Sequence, residues 1–447
     1  MTLLNDAQVQ RFLRDGYITL QANLSADFHS QVRTQVNDLF QSEGNPGNDI
    51  LPKVPDLYRV LEDEHISGAL TSLLGPDYIV HPHRHCHQNL AGSGGQGMHQ
   101  DSYESDQNVR HHRCRWAMAF YYPQDVALQN GPSSAIPATQ HYNDTEQANK
   151  WTELPLVGPA GTVTIVHYDL WHRAMPNLST IDRYMVKFLF TRMSEPDGPA
   201  WNSTGQKWTH SPDGPPDALC QSQWAWMGGQ ADRRAAVDDP QLLYDHLQSQ
   251  SEHQRLEAAY ALASQGADGV PYLVRALRAE AAHKQERNLA RAHTNSSQLD
   301  ALFALSAAGA PALTPLEDLL VDTSWPLRAA AADALGDMGR VAVGSVALLQ
   351  HALSDSEVWV RRNATEALGH MGPGGSEAVP ALSERLTDPD ATVRHNAALA
   401  LAKIGPTAER ATGALHSAQE DEELYVRENA RIALRRIEDS TQRQQPS

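Results

Sequence analysis

Cysteine is almost missing from this chain. Cys86, Cys114 and Cys220 are odd in number and scattered through 447 residues, with no Cys-x-x-Cys, which argues against a disulfide framework or a thiolate zinc site. No apolar run approaches the roughly 18 residues needed to cross a bilayer. The opening Met-Thr-Leu-Leu-Asn-Asp-Ala-Gln lacks the charged start and apolar stretch of a targeting peptide. The expectation is a soluble, cytoplasmic protein. Positive charge is also scarce: the net charge is −18 and no Lys/Arg tract occurs, so neither nucleic acid nor an anionic membrane is the expected partner. What is present is ordinary for a folded chain, 41% hydrophobic and 20% charged, long enough for two or three domains.

The second half is periodic. Arg328, Arg361, Arg394 and Arg427 stand 33 residues apart, each with an aspartate six residues earlier: Asp322, Asp355, Asp388 and Asp421. A leucine recurs in the same register at Leu335, Leu368, Leu401 and Leu434. A fixed period of this length marks stacked repeats. Within one unit, Val360, Ala364, Ala367, Leu368 and Met371 form one helical stripe. Gly369 and Gly372 fall where the helix is expected to end, and Glu377 onward opens a second helix. A helix pair cannot bury its own apolar face, so neighbours must stack. The Asp/Arg register reads as a ladder of charge-assisted bonds between successive units. The pattern D-x-x-x-x-V-R-x-x-A-x-x-A-L-G-x-x-G resembles HEAT-like repeats of the phycobilisome-lyase kind, over about Leu242–Ile437. The T-P-L-H turn of ankyrin repeats is absent.

The first half holds two His-x-Asp motifs, His99-Gln-Asp101 and His167-Tyr-Asp169. Two histidines and one carboxylate on one face of a metal leave three positions open, the ligand set of non-haem Fe(II) oxygenases. His172 lies 73 residues after His99 and follows the alternating run Gly161-Thr-Val-Thr-Ile-Val-His, which reads as a strand. Asn177 follows, then Arg183 at the head of another strand-like run. A guanidinium fork there could grip a carboxylate at two points.

These landmarks resemble the phytanoyl-CoA dioxygenase family of Fe(II)/2-oxoglutarate oxygenases, over about residues 5–195. The resemblance rests on Gln8–Tyr17 with its Asp-Gly-Tyr, His99-Gln-Asp101, Trp116-Ala-Met118, Asn130-Gly-Pro132, Ile136-Pro137 with His141, and His172, Asn177 and Arg183. Ala-Thr-Gln between Pro137 and His141 departs from the family pattern. The resemblance implies a double-stranded β-helix (jelly-roll, cupin-like) domain followed by the all-α solenoid. It implies Fe(II) held by His99, Asp101 and His172, with 2-oxoglutarate and O2 as co-substrates. Arg183 would hold the distal carboxylate, with Trp116, Asn177 and Asn89 around it. The reaction implied is hydroxylation of an unactivated C–H bond in a small molecule, releasing succinate and CO2. Related halogenases carry a small residue where Asp101 stands, so hydroxylation is favoured over halogenation. In this frame His167-Tyr-Asp169 is structural.

Other features are less specific. His81, His83, His85 and His87 alternate on a strand-like stretch. They span about 20 Å at ~3.3 Å per residue, too long to meet one ion. Their face is expected to line the barrel mouth, with His85 and His87 toward substrate. Tyr103 and the segment to Asp106 would overhang the site as a lid. Arg110, His111, His112, Arg113 and Arg115 read as a solvated loop or a site for an anionic substrate group. The resulting organisation is an oxygenase domain over 1–195, a Trp/Pro/Gly-rich connector over 196–240 packing on the barrel, HEAT-like repeats over 241–438, and a disordered tail over 439–447. Two alternatives stay open: an inactive barrel with a protein-binding solenoid, and a hydroxylase of a protein partner docked on the solenoid.

Overall fold

The computed structural model describes residues 1–101, 111–143, 151–211, 214–231, 238–286 and 299–444. They form two compact units. The first comprises Met1–Ser102, Cys114–Arg192 and Pro196–Gly228; the second comprises Met193–Glu195, Gly229–Ser447 and, from within the first half of the sequence, the described residues His111–Arg113.

The first unit is built on antiparallel strands: β1 (Tyr17–Gln21), β2 (Tyr78–Asn89), β3 (Trp116–Tyr121), β4 (Ser133–Ala135), β5 (Leu154–Pro155), β6 (Thr162–His167), β7 (His172–Ala174) and β8 (Arg183–Arg192). One sheet has the order β1-β6-β3-β8-β2 and the other β5-β4-β7. Alternation sorts the faces of the larger sheet. Tyr184, Val186, Phe188 and Phe190 join the core with Val9 and Phe12 of α1 (Asp6–Asp15), Val32 and Val36 of α2 (Ala26–Glu43) and Leu70 and Leu73 of the helix Glu64–Leu74. Arg183, Met185 and Lys187 lie on the opposite face, toward a cavity. A capping box between Asn5 and Gln8 starts α1, and Gly16 ends it at φ 77°. A side chain at Gly16 would collide with Gln140 and Leu170, so the Asp-Gly-Tyr lead into β1 is a steric requirement.

The expected connector is partly helical, because Asp217–Met227 forms an α-helix. Its tryptophans pack within the first unit. Trp201 donates to Asp6 at 2.6 Å and lies 4.9 Å from Trp224. The guanidiniums of Arg115 and Arg192 each stand 5.1 Å from the Trp226 ring.

In the second unit the helices Trp325–Asp337, Val358–His370, Ala391–Ile404 and Leu424–Gln444 pack in succession. The ladder joins neighbouring repeats as expected. Arg328 grips both oxygens of Asp355 at 2.7 and 2.9 Å, Arg361 those of Asp388 at 3.0 and 3.1 Å, and Arg394 those of Asp421 at 2.8 and 3.1 Å. Each of these arginines also donates to the backbone carbonyl of its own repeat's aspartate. Two expectations need correction. Gly369 does not end its helix; it lies inside Val358–His370, and a Cβ there would come within 2.7 Å of the Ala400 Cα. The glycine is needed for close helix packing, and Gly372 makes the turn. The last helix runs through Gln444, so the tail expected from 439 continues the helix for six more residues; 445–447 lie outside the described residues.

Asp388 has only 1% of its side chain exposed. Asp388→Ala is therefore expected to cost about 2–4 kcal/mol, since it leaves a largely buried guanidinium without its carboxylate. Breaking the half-exposed Arg278–Asp322 pair should cost less than about 1 kcal/mol. Urea unfolding followed by helical circular dichroism would rank the two.

The basic cluster after the first metal motif is neither a solvated loop nor an open anion site at its described positions. His111 and His112 are buried in the second unit. His111 Nε2 meets Glu366 at 3.2 Å, and its Nδ1 lies 3.7 Å from Asp333 and 3.5 Å from Asp337. The His370 and Phe303 rings lie beside it. His112 bonds the Tyr260 hydroxyl at 2.8 Å, and Arg113 donates to the Asp337 carbonyl. Burial opposes a charge on His111, but Glu366, Asp337 and Asp333 outweigh it and lift its pKa to about 10. A raised folded-state pKa means a contribution present in full below the unfolded value of ~6.5 and lost as pH rises through about 10. Thermal stability should accordingly fall between pH 7 and 10, and His111→Gln should flatten that slope.

Candidate metal centre and co-substrate pocket

The two imidazoles expected to share a metal are brought together by the backbone. His99 and His172 form an isolated antiparallel bridge, with His99 N–H donating to the His172 carbonyl at 3.0 Å and His172 N–H returning the bond at 2.9 Å. Directly paired residues project their side chains to the same face, and the ring centroids lie 4.5 Å apart. His99 Nδ1 is 2.9 Å from the Gly97 carbonyl, and His172 Nδ1 is 2.8 Å from the Leu170 carbonyl. A carbonyl only accepts, so each Nδ1 carries the proton and each Nε2 keeps its lone pair. This is the tautomer a metal-binding histidine needs.

Asp101 completes the group. Its Oδ1 lies 3.6 Å from His99 Nε2 and 3.8 Å from His172 Nε2. Among the described residues this is the one cluster of three or more His, Cys, Asp or Glu able to share an ion. His167 and Asp169 are not in it. Asp169 contributes its carbonyl to Gln100, and His167 packs against His141. Burial pushes His172 down to about 4, which keeps its lone pair available. Burial works against the Asp101 charge, yet Lys187, then His172 and His99, hold its carboxyl well below the usual range.

The second expected feature lies beside this triad. Arg183 is fully buried, with Nε and Nη2 donating to the Gly131 carbonyl at 3.0 and 2.8 Å. Its Nη1 is buried without a hydrogen-bond partner, and a buried guanidinium donor left unmet marks a place for an acceptor. Asn89 pairs with Arg183 across β2 and β8 and donates to the Gly131 and Met175 carbonyls, both at 2.9 Å. Asn177 donates to the Asn89 and Ile181 carbonyls, both at 2.9 Å. Gly131 holds φ 64°, and a Cβ there would meet Asn89 Nδ2 at 2.4 Å. The Asn-Gly-Pro turn thus has to carry glycine for the Arg183 anchor to exist.

One cavity is lined by His99, Asp101 and His172 together with Arg183, Asn89, His87, Met185 and Lys187, among others. Of the remaining expected site residues, Asn177 braces the cavity wall from behind. Trp116 packs edge-on against His81, ring centroids 5.2 Å apart. His85 sits further along β2, 3.2 Å from the Asn45 amide. Tyr103 lies outside the described residues. The pairing of β2 with β8 shifts register between Val80 and Arg84, and of the four alternating histidines His87 alone lines this cavity. Burial, and secondarily Lys187, pushes His83 to about 4 and His87 well below the ordinary histidine value. Lys187 was not singled out by sequence reading. The signal was there: a strand side chain four residues after Arg183 shares its face.

Residues 3–185 match the family model of phytanoyl-CoA dioxygenase (PhyH), and residues 289–369 and 345–435 match that of HEAT repeats. No curated protein matches the chain. Among solved structures, the non-heme alpha ketoglutarate dependent carbocyclase SnoK from nogalamycin biosynthesis is 19% identical, with a TM-score of 0.37 over 43% of this chain and 85% of its own. EctD from S. alaskensis, solved with 2-oxoglutarate and 5-hydroxyectoine, is 18% identical, with a TM-score of 0.37 over 43% of this chain and 77% of its own. HygX from Streptomyces hygroscopicus, solved with nickel and 2-oxoglutarate, is 14% identical, with a TM-score of 0.35 over 42% and 87%. No described helix is long and apolar enough to cross a membrane.

Proposed function

We propose that this chain, which carries a PhyH domain at residues 3–185 and HEAT repeats behind it, is an Fe(II)- and 2-oxoglutarate-dependent dioxygenase that hydroxylates an unactivated C–H bond of a small molecule. The observation that carries the reading is the convergence of two Nδ1-protonated imidazoles and one carboxylate oxygen on one point. That donor set suits a divalent first-row metal with open positions. Ferrous iron bound there would couple the oxidative decarboxylation of 2-oxoglutarate by O2 to hydroxylation, with succinate and CO2 released.

This chain's own groups have separate tasks. His99, Asp101 and His172 hold the metal. Arg183 turns its unmet Nη1 to the distal carboxylate of 2-oxoglutarate, and its low-dielectric surroundings strengthen that contact. Asn89 and Asn177 fix the Gly131 turn to which Arg183 is anchored. His87, kept neutral by burial, can bond a polar substrate group without adding charge.

Anaerobic reconstitution with Fe(II) and 2-oxoglutarate, followed by O2 and a metabolite screen, tests this. Succinate should form only with all three present and should rise with one class of compound. Firm metal binding with no 2-oxoglutarate-dependent succinate under any condition would refute the reading.

A further inference from the structure

We propose that Lys187 is a positioning residue: its ammonium claims one oxygen of Asp101, so the carboxylate holds the metal through a single atom and three coordination positions stay open. This rests on the metal-centre reading above. The two oxygens of Asp101 have different surroundings. Oδ2 accepts from Lys187 Nζ at 2.8 Å, while Oδ1 is the atom facing His99 and His172.

The ammonium has little freedom to leave. β8 is flanked by β3 on one side and β2 on the other. Lys187 sits in register with Phe120 on β3 and His85 on β2, and only 7% of it is exposed. Carboxylates bind hard cations through one oxygen or two. With neither oxygen engaged elsewhere, Asp101 could chelate through both. On a six-coordinate metal that would leave two positions rather than three. A co-substrate binding through two atoms would then fill both and leave none for a third ligand. An ammonium already bonded to Oδ2 prevents this and also balances the buried carboxylate before metal arrives.

The test counts metal-bound water without relying on turnover. In the Mn(II)-loaded full chain, water-proton relaxation should report three exchangeable waters. Lys187→Met should bind Mn(II) but lose about one third of that enhancement, the share of one of three positions. Lys187→Arg, which keeps a charged donor, should restore it. An unchanged enhancement in Lys187→Met, or only two waters in the unaltered protein, would overturn the role given to Lys187. The second of these outcomes does not depend on any variant folding. Failure of the unaltered protein to bind Mn(II) would instead overturn the metal centre itself, so the two failures are distinguishable.

Discussion

Asp101→Ala should abolish turnover and lower divalent-metal affinity by more than about 100-fold, since loss of even an outer-shell partner typically costs 10–100-fold. The variant should also be less stable without metal. Lys187 would keep a buried ammonium with no carboxylate opposite it, and breaking a buried pair on one side costs about 3–5 kcal/mol. The two effects separate in a double variant. Asp101→Ala with Lys187→Met removes both charges, so melting temperature should recover while Co(II) binding, followed by calorimetry, stays weak. If the single variant bound Co(II) as tightly as the unaltered protein, Asp101 would not be a ligand.

Arg183→Leu should act on the other half of the site. It removes the buried fork beside the metal group but none of the metal donors. Hydrogen bonds to charged groups are worth about 1.5–3 kcal/mol each. Losing the one that Nη1 would make should weaken 2-oxoglutarate binding by roughly 10–150-fold on the scale of ~1.4 kcal/mol per tenfold. Metal affinity should stay within about threefold. Arg183→Lys should recover only part of the loss, because an ammonium is a point charge without a planar fork. Anaerobic titration of 2-oxoglutarate into the Co(II)-loaded protein reads this directly, and equal affinity in Arg183→Leu would remove Arg183 from the co-substrate site.

The two halves were legible in the sequence to different depths. The solenoid was readable because each repeat contacts chiefly its neighbours. A contact such as Arg361 to Asp388 therefore recurs at a fixed spacing and prints itself on the sequence. Gly369 was misread because a glycine near a helix end resembles a stop signal, and only the approach of Ala400 on the next helix gives its reason. His111 and His112 looked like a solvated basic run because their acidic and aromatic partners, Asp333, Glu366 and Tyr260, lie 148 to 255 residues further along.

Residue type and spacing by themselves determined the repeat register and raised His99, Asp101, His172 and Arg183 as candidates for a shared site, and the resemblance to the phytanoyl-CoA dioxygenase family chose them over His167-Tyr-Asp169. Only the tertiary structure decided that Lys187 takes the second oxygen of Asp101, that the Gly131 turn anchors Arg183, and that His111 is buried among carboxylates of the repeats. Those pairings depend on strand register and on which helix faces which segment. Both are set by packing between residues remote in the chain, which leaves no local pattern to read.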